Sequence, residues 1–297
     1  MAMKMKKYEE LELRDDFMFS RIMSNPKFVK PLLETILGVK IRKIVYPQTQ
    51  KTIDLSLQAK GIRLDVYVED DQNTVFNLEM QTSDGANLPK RMRYYQGMID
   101  LNILDNGQDY TTLKKSYVIF ICTFDPFGEG RHIYTFCNTC QENTALTLDD
   151  DAVKIILSTK GTMDDVSPEM KRILDYIDGK GASDKFTEEL EEAVRSARQN
   201  ERWRLDYMTL EYEYRQRYLE GKEEGREEGR EEGIEQGEKR TQNSIIKKML
   251  SMGQPLEFIS ECTDKPIEYI RDIATEEPML VREENTYDRN IEKKSLE

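Results

Sequence analysis

Cysteine and histidine are scarce in this chain, and long apolar runs are absent. Four cysteines and one histidine stand among 297 residues. Cys137 and Cys140 form a lone CxxC, and Cys122 with His132 would complete four zinc ligands. No second CxxC accompanies them, and their segment alternates through expected strands, so the pattern does not favour a zinc site. Cys122 lies in the apolar stretch VIFICTF, where a thiol serves as a small core residue. No stretch reaches the roughly 18 apolar residues of a membrane span, and the start MAMKMKKYEE lacks the apolar block of a secretory signal. The expectation is a soluble cytoplasmic protein with no membrane partner and no disulfides.

Net positive charge is also lacking. The chain carries −13 at neutral pH, which taken whole argues against nucleic acid. The imbalance is local, however. Residues 1–140 hold 19 Lys/Arg against 18 Asp/Glu, whereas the remainder holds 25 against 39. A near-neutral N-terminal half can bind phosphates wherever its arginines converge, while the acidic half solvates the protein or repels loosely bound DNA. A charged fraction of 34% beside a hydrophobic fraction of 38% requires that part of the chain be solvated helix or disorder.

What is present is organised around IRLDVYVEDDQNTVFNLEMQ, Ile62 to Gln81. Ile62, Leu64, Val66 and Val68 alternate with Arg63, Asp65, Tyr67 and Glu69, and Phe76, Leu78 and Met80 alternate with Asn77, Glu79 and Gln81. Both segments have the period of a strand with one buried face. Asp70 to Asn73 are turn formers, so a hairpin is expected. Pairing Val68 with Phe76, Val66 with Leu78 and Leu64 with Met80 sets Asp65 opposite Glu79, with about 5 Å between Cβ atoms. Two carboxylates at that spacing suit one divalent cation. The plainer reading, that these side chains only solvate the hairpin's polar face, stands beside it. Leu78 and Met80 flank Glu79, and a carboxylate so close to a core carries an electrostatic cost that a metal would relieve.

The arrangement of Asp65 followed by Glu79-Met80-Gln81 resembles the active-site signature of the PD-(D/E)XK nucleases, in the form found in the Rpn family of recombination-promoting nucleases and transposases. Asp15-Asp16-Phe17-Met18-Phe19 is similar to that family's N-terminal helix motif. GIRLDVYVED, NLEMQ and Lys90-Arg91-Met92-Arg93-Tyr94-Tyr95 follow in the family's order, as do Tyr117 to Cys122 and Phe124-Asp125-Pro126-Phe127. The resemblance covers residues 10 to about 165 closely. Ser20 departs from it, standing where many members have lysine. Gln81 replaces the lysine of the general superfamily pattern, although glutamine is usual in this family.

The resemblance implies an α/β restriction-endonuclease-like core, a central mixed sheet flanked by helices, over residues 10–165. It implies Mg²⁺ or Mn²⁺ as cofactor, with Asp65 and Glu79 as metal ligands and catalytic residues. Asp16 would join directly or through water, and Gln81 would orient the attacking water. Gln81 cannot supply the positive charge of a lysine, which leaves more charge stabilisation to the metal. Lys90, Arg91 and Arg93, near the start of a helix expected over Pro89 to Leu104, would grip DNA phosphates.

Elsewhere, Leu11 to Leu37 reads as helix interrupted near Asn25-Pro26 and ended by Gly38. Ile41 to Tyr46 and Ile53 to Leu57 read as short strands, followed after the hairpin by strands at Ser116 to Phe124, Arg131 to Phe136 and Ala152 to Leu157. Ser167-Pro168-Glu169 starts a helix to Ile177. From Asp184 to Arg240, free of proline, one long helix is expected within a helical extension spanning 166–240. Its Gly221, Gly225, Gly229, Gly233 and Gly237 form a small-residue ridge along which a second helix could approach, giving a homo-oligomer. A solvated spacer is the alternative. Three short helices over 241–276 resemble a helix-turn-helix, but PIEYIRDIA is too acidic for a groove reader and is expected to contact protein. Residues 277–297 are expected to be a disordered tail.

The function expected is metal-dependent DNA endonuclease activity, tied by the resemblance to recombination or mobile elements. The alternative is a weak or inactive nuclease fold that binds DNA or assembles with itself. Gln81 and Ser20 favour that alternative, and the retained carboxylates oppose it.

Overall fold

Val75–Gln81 is apolar on one face and buried along nearly its whole length, a pattern only an inner strand sustains. In the computed structural model, which describes residues 5–53, 62–84, 87–104 and 107–275, this strand is β3 of a six-stranded mixed sheet. The order is β1-β2-β3-β4-β6-β5, with β1 at Ile44–Ile53, β2 at Ile62–Asp70, β4 at Ser116–Cys122, β5 at Ile133–Phe136 and β6 at Ala152–Ser158. β1, β2 and β3 form an antiparallel meander. β4 and β6 then run parallel to β3, and β5 returns antiparallel on the far edge.

Alternate residues of the inner strands feed two cores. Ile119 and Ile121 of β4 join Val66, Val68, Phe76, Leu78 and Met80 beneath α1 (Asp16–Met23), α2 (Pro26–Leu37), α4 (Pro168–Ile177) and α5 (Lys185–Arg198). Val118, Phe120 and Cys122 face the other way, packing with Tyr67, Val75 and Ile156 against Leu88, Met92, Met98 and Ile99 of α3 (Leu88–Ile103). The face of β3 that bears Asn77 and Glu79 is therefore not the solvated side of a half-buried hairpin. It is a second buried face, roofed by α3.

Helix boundaries follow local chemistry. The expected break near Asn25-Pro26 is present: the Asn25 side chain accepts the Lys27 N–H, Pro26 opens α2, and Gly38 ends it at φ 65°. α1 starts at Asp16, later than Leu11, because Tyr8–Glu10 form a separate 3-10 turn. The two short strands expected around Pro47 are one, β1, with a register shift between Ile44 and Tyr46. An edge strand tolerates proline because one side of its backbone has no ladder to serve. Residues 54–57 of the second expected strand lie outside the described residues, as does the 277–297 tail.

The single helix expected over 184–240 is two. α5 opens with a capping box between Asp184 and Thr187 and ends at Gln199. The Asn200 side chain then accepts the Trp203 N–H at 3.1 Å, capping α6, Glu201–Ser251. α4 and α5 contribute Ile173, Leu174, Leu190 and Val194 to the main core. α6 absorbs the helix expected over Ser244 to Met252. The chain divides into two compact units, Met1–Tyr212 and Glu213–Glu297. The second has its own small core, in which Ile246 of α6 and Ile259 of α7 (Leu256–Thr263) pack with Ile270 and Ile273 from the helical residues 267–275.

Candidate active site

The hairpin register sets Val66 opposite Leu78 and Val68 opposite Phe76, as the sequence pattern requires. The third expected pair, Leu64 with Met80, does not form. The ladder stops at Val66, and Leu64 and Met80 pack in different cores. Beyond that point the strands are tied by crossed side-chain bonds. The Asp65 N–H donates to Glu79 Oε1 at 3.0 Å, and the Met80 N–H donates to Asp65 Oδ2 at 3.0 Å. Each carboxylate thus takes a backbone donor from the other strand, which holds the two acids face to face.

The pair sits at an electrostatic cost. Glu79 is 3% exposed. Its burial first, and the neighbouring Asp65 charge second, push its carboxyl well above the usual carboxylate range, opposed by the Asp65 N–H, the Asn77 side chain and Arg91. Asn77, two residues earlier on the same face, is fully buried, and neither end of its amide makes a hydrogen bond of ordinary geometry among the described residues. Its dipole nevertheless favours the Glu79 anion.

Two facing carboxylates, that of Glu79 raised in proton affinity, are a donor set that fits a hard divalent cation, which is commonly held by one or two carboxylates, waters and substrate oxygens. Among the described residues, no group of three or more His, Cys, Asp or Glu converges as a metal cluster, so Asp16 does not complete one with the pair. Asp16 is solvent-accessible at the first position of α1, a helix that packs on β2 and β3. Desolvation and then Asp15 raise its carboxyl, while its own helix-start backbone and Arg91 lower it. Ser20, one turn further on, is 1% exposed and donates to the Phe17 carbonyl, so this position belongs to the core.

Both ends of the Gln81 amide are engaged. Nε2 donates to the Ser83 carbonyl at 2.6 Å, and Oε1 accepts from Arg91 Nη1 at 2.6 Å. Arg91 Nη2 reaches the Tyr95 hydroxyl at 3.2 Å, and the guanidinium carbon lies 5.6 Å from the Tyr95 ring centre and 5.2 Å from that of Phe120. Burial weakens the Arg91 cation, but Tyr95, Glu79 and Asp65 together outweigh it and raise its pKa. Of the three expected basic residues, only Arg91 is turned to the carboxylates. Lys90 and Arg93, three residues apart on a neighbouring helix face, are exposed.

Sequence reasoning missed Asn77 and the anchoring role of Tyr95. Both left a signal, Asn77 in the two-residue spacing to Glu79 and Tyr95 in the four-residue spacing to Arg91. The zinc candidates do not converge: Cys122 is in the core, and His132 Nδ1 pairs with Asp165 at 2.9 Å.

Residues 13–157, just under half of the chain, match the family model described as PD-(D/E)XK nuclease family transposase. Neither the curated proteins nor the solved structures give a significant match. The matched span runs from the start of α1 to β6 and contains the carboxylate pair, Gln81 and Arg91, and its mixed sheet flanked by helices is consistent with the PD-(D/E)XK fold. Segment 13–157 thus belongs to the PD-(D/E)XK nuclease family transposases, and its activity class is nuclease or transposase-like.

Proposed function

We propose that this protein is a metal-dependent DNA endonuclease that hydrolyses phosphodiester bonds in the cytoplasm and acts in recombination or on mobile elements. The observation that carries the reading is the crossed Asp65–Glu79 pair, two acids held face to face against their mutual repulsion. Asp65 and Glu79 would hold Mg²⁺ or Mn²⁺, and such an ion, when bound, lowers the pKa of a bound water and offsets charge on the phosphate. Asp16 reaches the site through water. Lys90 and Arg93 grip phosphates along the DNA from the exposed face of α3. α3 covers the carboxylate face and excludes water from one side of it, which strengthens each charge interaction there.

The chain acts as a homo-oligomer in this reading, through α6. Leu205, Met208, Tyr212 and Leu219 are exposed along that helix at spacings of three, four and seven, the repeat by which paired helices bury a seam. A Cβ added at any of Gly221, Gly225, Gly229, Gly233 or Gly237 would meet nothing within 4 Å, so the ridge is open to close approach. No helix among the described residues is long and apolar enough to cross a membrane.

Purified protein incubated with supercoiled plasmid tests the reading. Nicking or linearisation with Mg²⁺ or Mn²⁺ that EDTA abolishes is expected. A protein that binds plasmid and never cuts it in either metal is instead a DNA-binding platform.

A further inference from the structure

The strand that carries Glu79 reads VFNLEMQ and holds no lysine or arginine, so β3 itself offers no cation to a phosphodiester arriving beside two carboxylates. We propose that Arg91 of α3, moored by Gln81 and Tyr95, is the catalytic cation of this site, and that Gln81 is a positioning residue that aims it. The inference rests on the nuclease reading above and assigns to Arg91 a role distinct from the phosphate grip of Lys90 and Arg93.

Geometry carries it. Gln81 follows Glu79 by two residues on the same strand face, and its Oε1 takes Arg91 Nη1 at 2.6 Å, which ties the guanidinium to the strand that carries Glu79. Tyr95, one helical turn after Arg91, takes Nη2, and the ring of Phe120, the β4 neighbour of Glu79 in the sheet, is centred 5.2 Å from the guanidinium carbon. A planar cation held at both Nη groups and set close to two aromatic rings has little rotamer freedom left to lose when substrate binds. Each Nη uses one N–H in these bonds among the described residues, so donors remain for an oxyanion. The Arg91 charge also favours the ionised forms of Asp16 and Glu79, and Glu79 and Asp65 in turn favour its own.

Its chemistry is that of charge, not proton transfer. In hydrolysis a water oxygen bonds to phosphorus, the bond to one ester oxygen breaks, and the proton lost by water is balanced by one gained at the leaving oxygen. A guanidinium stays protonated throughout. Arg91 therefore donates hydrogen bonds to phosphate oxygens and offsets the negative charge that the transition state redistributes towards the leaving oxygen, so its loss falls on kcat more than on KM. Gln81 shapes the same effect indirectly: a freed guanidinium swings on its stem, and kcat falls although no charge is removed.

The test uses the full chain, Mg²⁺ or Mn²⁺ and supercoiled plasmid, with DNA affinity measured separately in Ca²⁺ and folding followed by circular dichroism. Arg91→Met is expected to lower kcat by about 100-fold with affinity changed less than about threefold. Lys90→Ala with Arg93→Ala is expected to raise KM instead. Gln81→Lys alone sets two cations together and is expected to lower kcat. The double variant Gln81→Lys with Arg91→Met returns the cation to β3 and is expected to recover at least about tenfold over Arg91→Met, which loss of mere scaffolding could not give. Should Arg91→Met not fold, Tyr95→Phe, which removes one mooring and keeps the ring, is expected to lower kcat without changing affinity. If Arg91→Met, or Tyr95→Phe in its place, cuts like wild type while Asp65→Asn is dead, the Arg91 role falls and the nuclease reading stands. If wild type does not cut and Asp65→Asn matches it, both fall.

Discussion

Glu79 Oε1 accepts the backbone N–H of Asp65 at 3.0 Å, so each acid of the pair is oriented by the strand that carries the other. The β2–β3 register thereby sets how the two carboxylates meet. Charge and shape can be separated here because an amide keeps a carbonyl acceptor for the same N–H. Glu79→Gln and Asp65→Asn are expected to lower metal-dependent plasmid cleavage by more than about 100-fold while melting within a few degrees of wild type. Asp65→Ala also strips the acceptor from the Met80 N–H and is expected to cost a further 1–2 kcal/mol or so of stability. Chemical denaturation beside a nicking assay measures both. Cleavage by Glu79→Gln at the wild-type rate would refute the site.

Proton and metal compete for the same pair. Burial and Asp65 raise Glu79 above its unfolded value of about 4.3, so between that value and the folded one the native state binds the extra proton. The stability this group contributes is present below the unfolded pKa and is lost as pH rises through the folded pKa. Asp16 shifts the same way. Burial acts likewise on Asp125, Asp175, Asp178 and Asp184, but hydrogen bonds outweigh it and hold all four below their ordinary value, giving the opposite trend. The difference between wild type and Glu79→Gln isolates the site. Without metal, the Tm of Glu79→Gln relative to wild type is expected to rise from about pH 4 to pH 8, and Mg²⁺ is expected to raise wild type alone, more at pH 8 than at pH 5. A Tm difference flat with pH contradicts the raised carboxyl.

The hairpin, the helix that carries Arg91 and the strands along the chain were legible because alternation, helical periodicity and turn residues act locally. The second buried face was not. Asn77, Glu79 and Gln81 read as a polar edge, and only the return of α3 over β3 and β4 makes that edge an interior. The Arg91–Gln81 bond was hidden for the same reason, since it joins residues ten apart through the geometry of a crossover. The gap expected between a strand ending at Tyr46 and one starting at Ile53 is instead part of β1. Pro47 lies inside that strand, and its outer position in the sheet removes the penalty of the missing N–H. Gln199-Asn200 did carry a readable cap signal, but uniform charge on both sides concealed the break between α5 and α6.

Asp184 anchors the face of the sheet opposite the acids. It accepts the Thr187 N–H at 2.9 Å and Arg172 Nε at 2.7 Å, tying the start of α5 to α4. Asp184→Ala is expected to destabilise the protein by about 1–2 kcal/mol through the lost cap, with up to about 1 kcal/mol more from the partly exposed ion pair. The cleavage rate per folded molecule should not change, because α5 packs on the other side of β3 from α3. Urea melts read the first effect and active-fraction kinetics the second. A fall in kcat without a fall in stability would place α5 in the catalytic machinery.

One Asp65/Glu79 pair cuts one strand at a time, whereas a double-strand break needs two cuts, and twofold pairing is the commonest way to bring two sites together. Five glycines in one helix cost about 4–5 kcal/mol relative to alanine, which close helix approach would have to offset. Leu205, Met208, Tyr212 and Leu219 supply the apolar seam at the helix's other end. If that seam drives pairing, Leu205→Lys with Tyr212→Glu should convert a dimer to a monomer in light scattering at tens of micromolar, leaving nicking intact and reducing linear product. Replacing the five glycines by alanine separates the two contributions. It should stiffen an unpaired helix and raise its melting temperature, but widen a paired one and weaken the dimer. A full-length chain that scatters as a monomer across that range would leave α6 a solvated spacer, and linear product would then arise only from independent nicks.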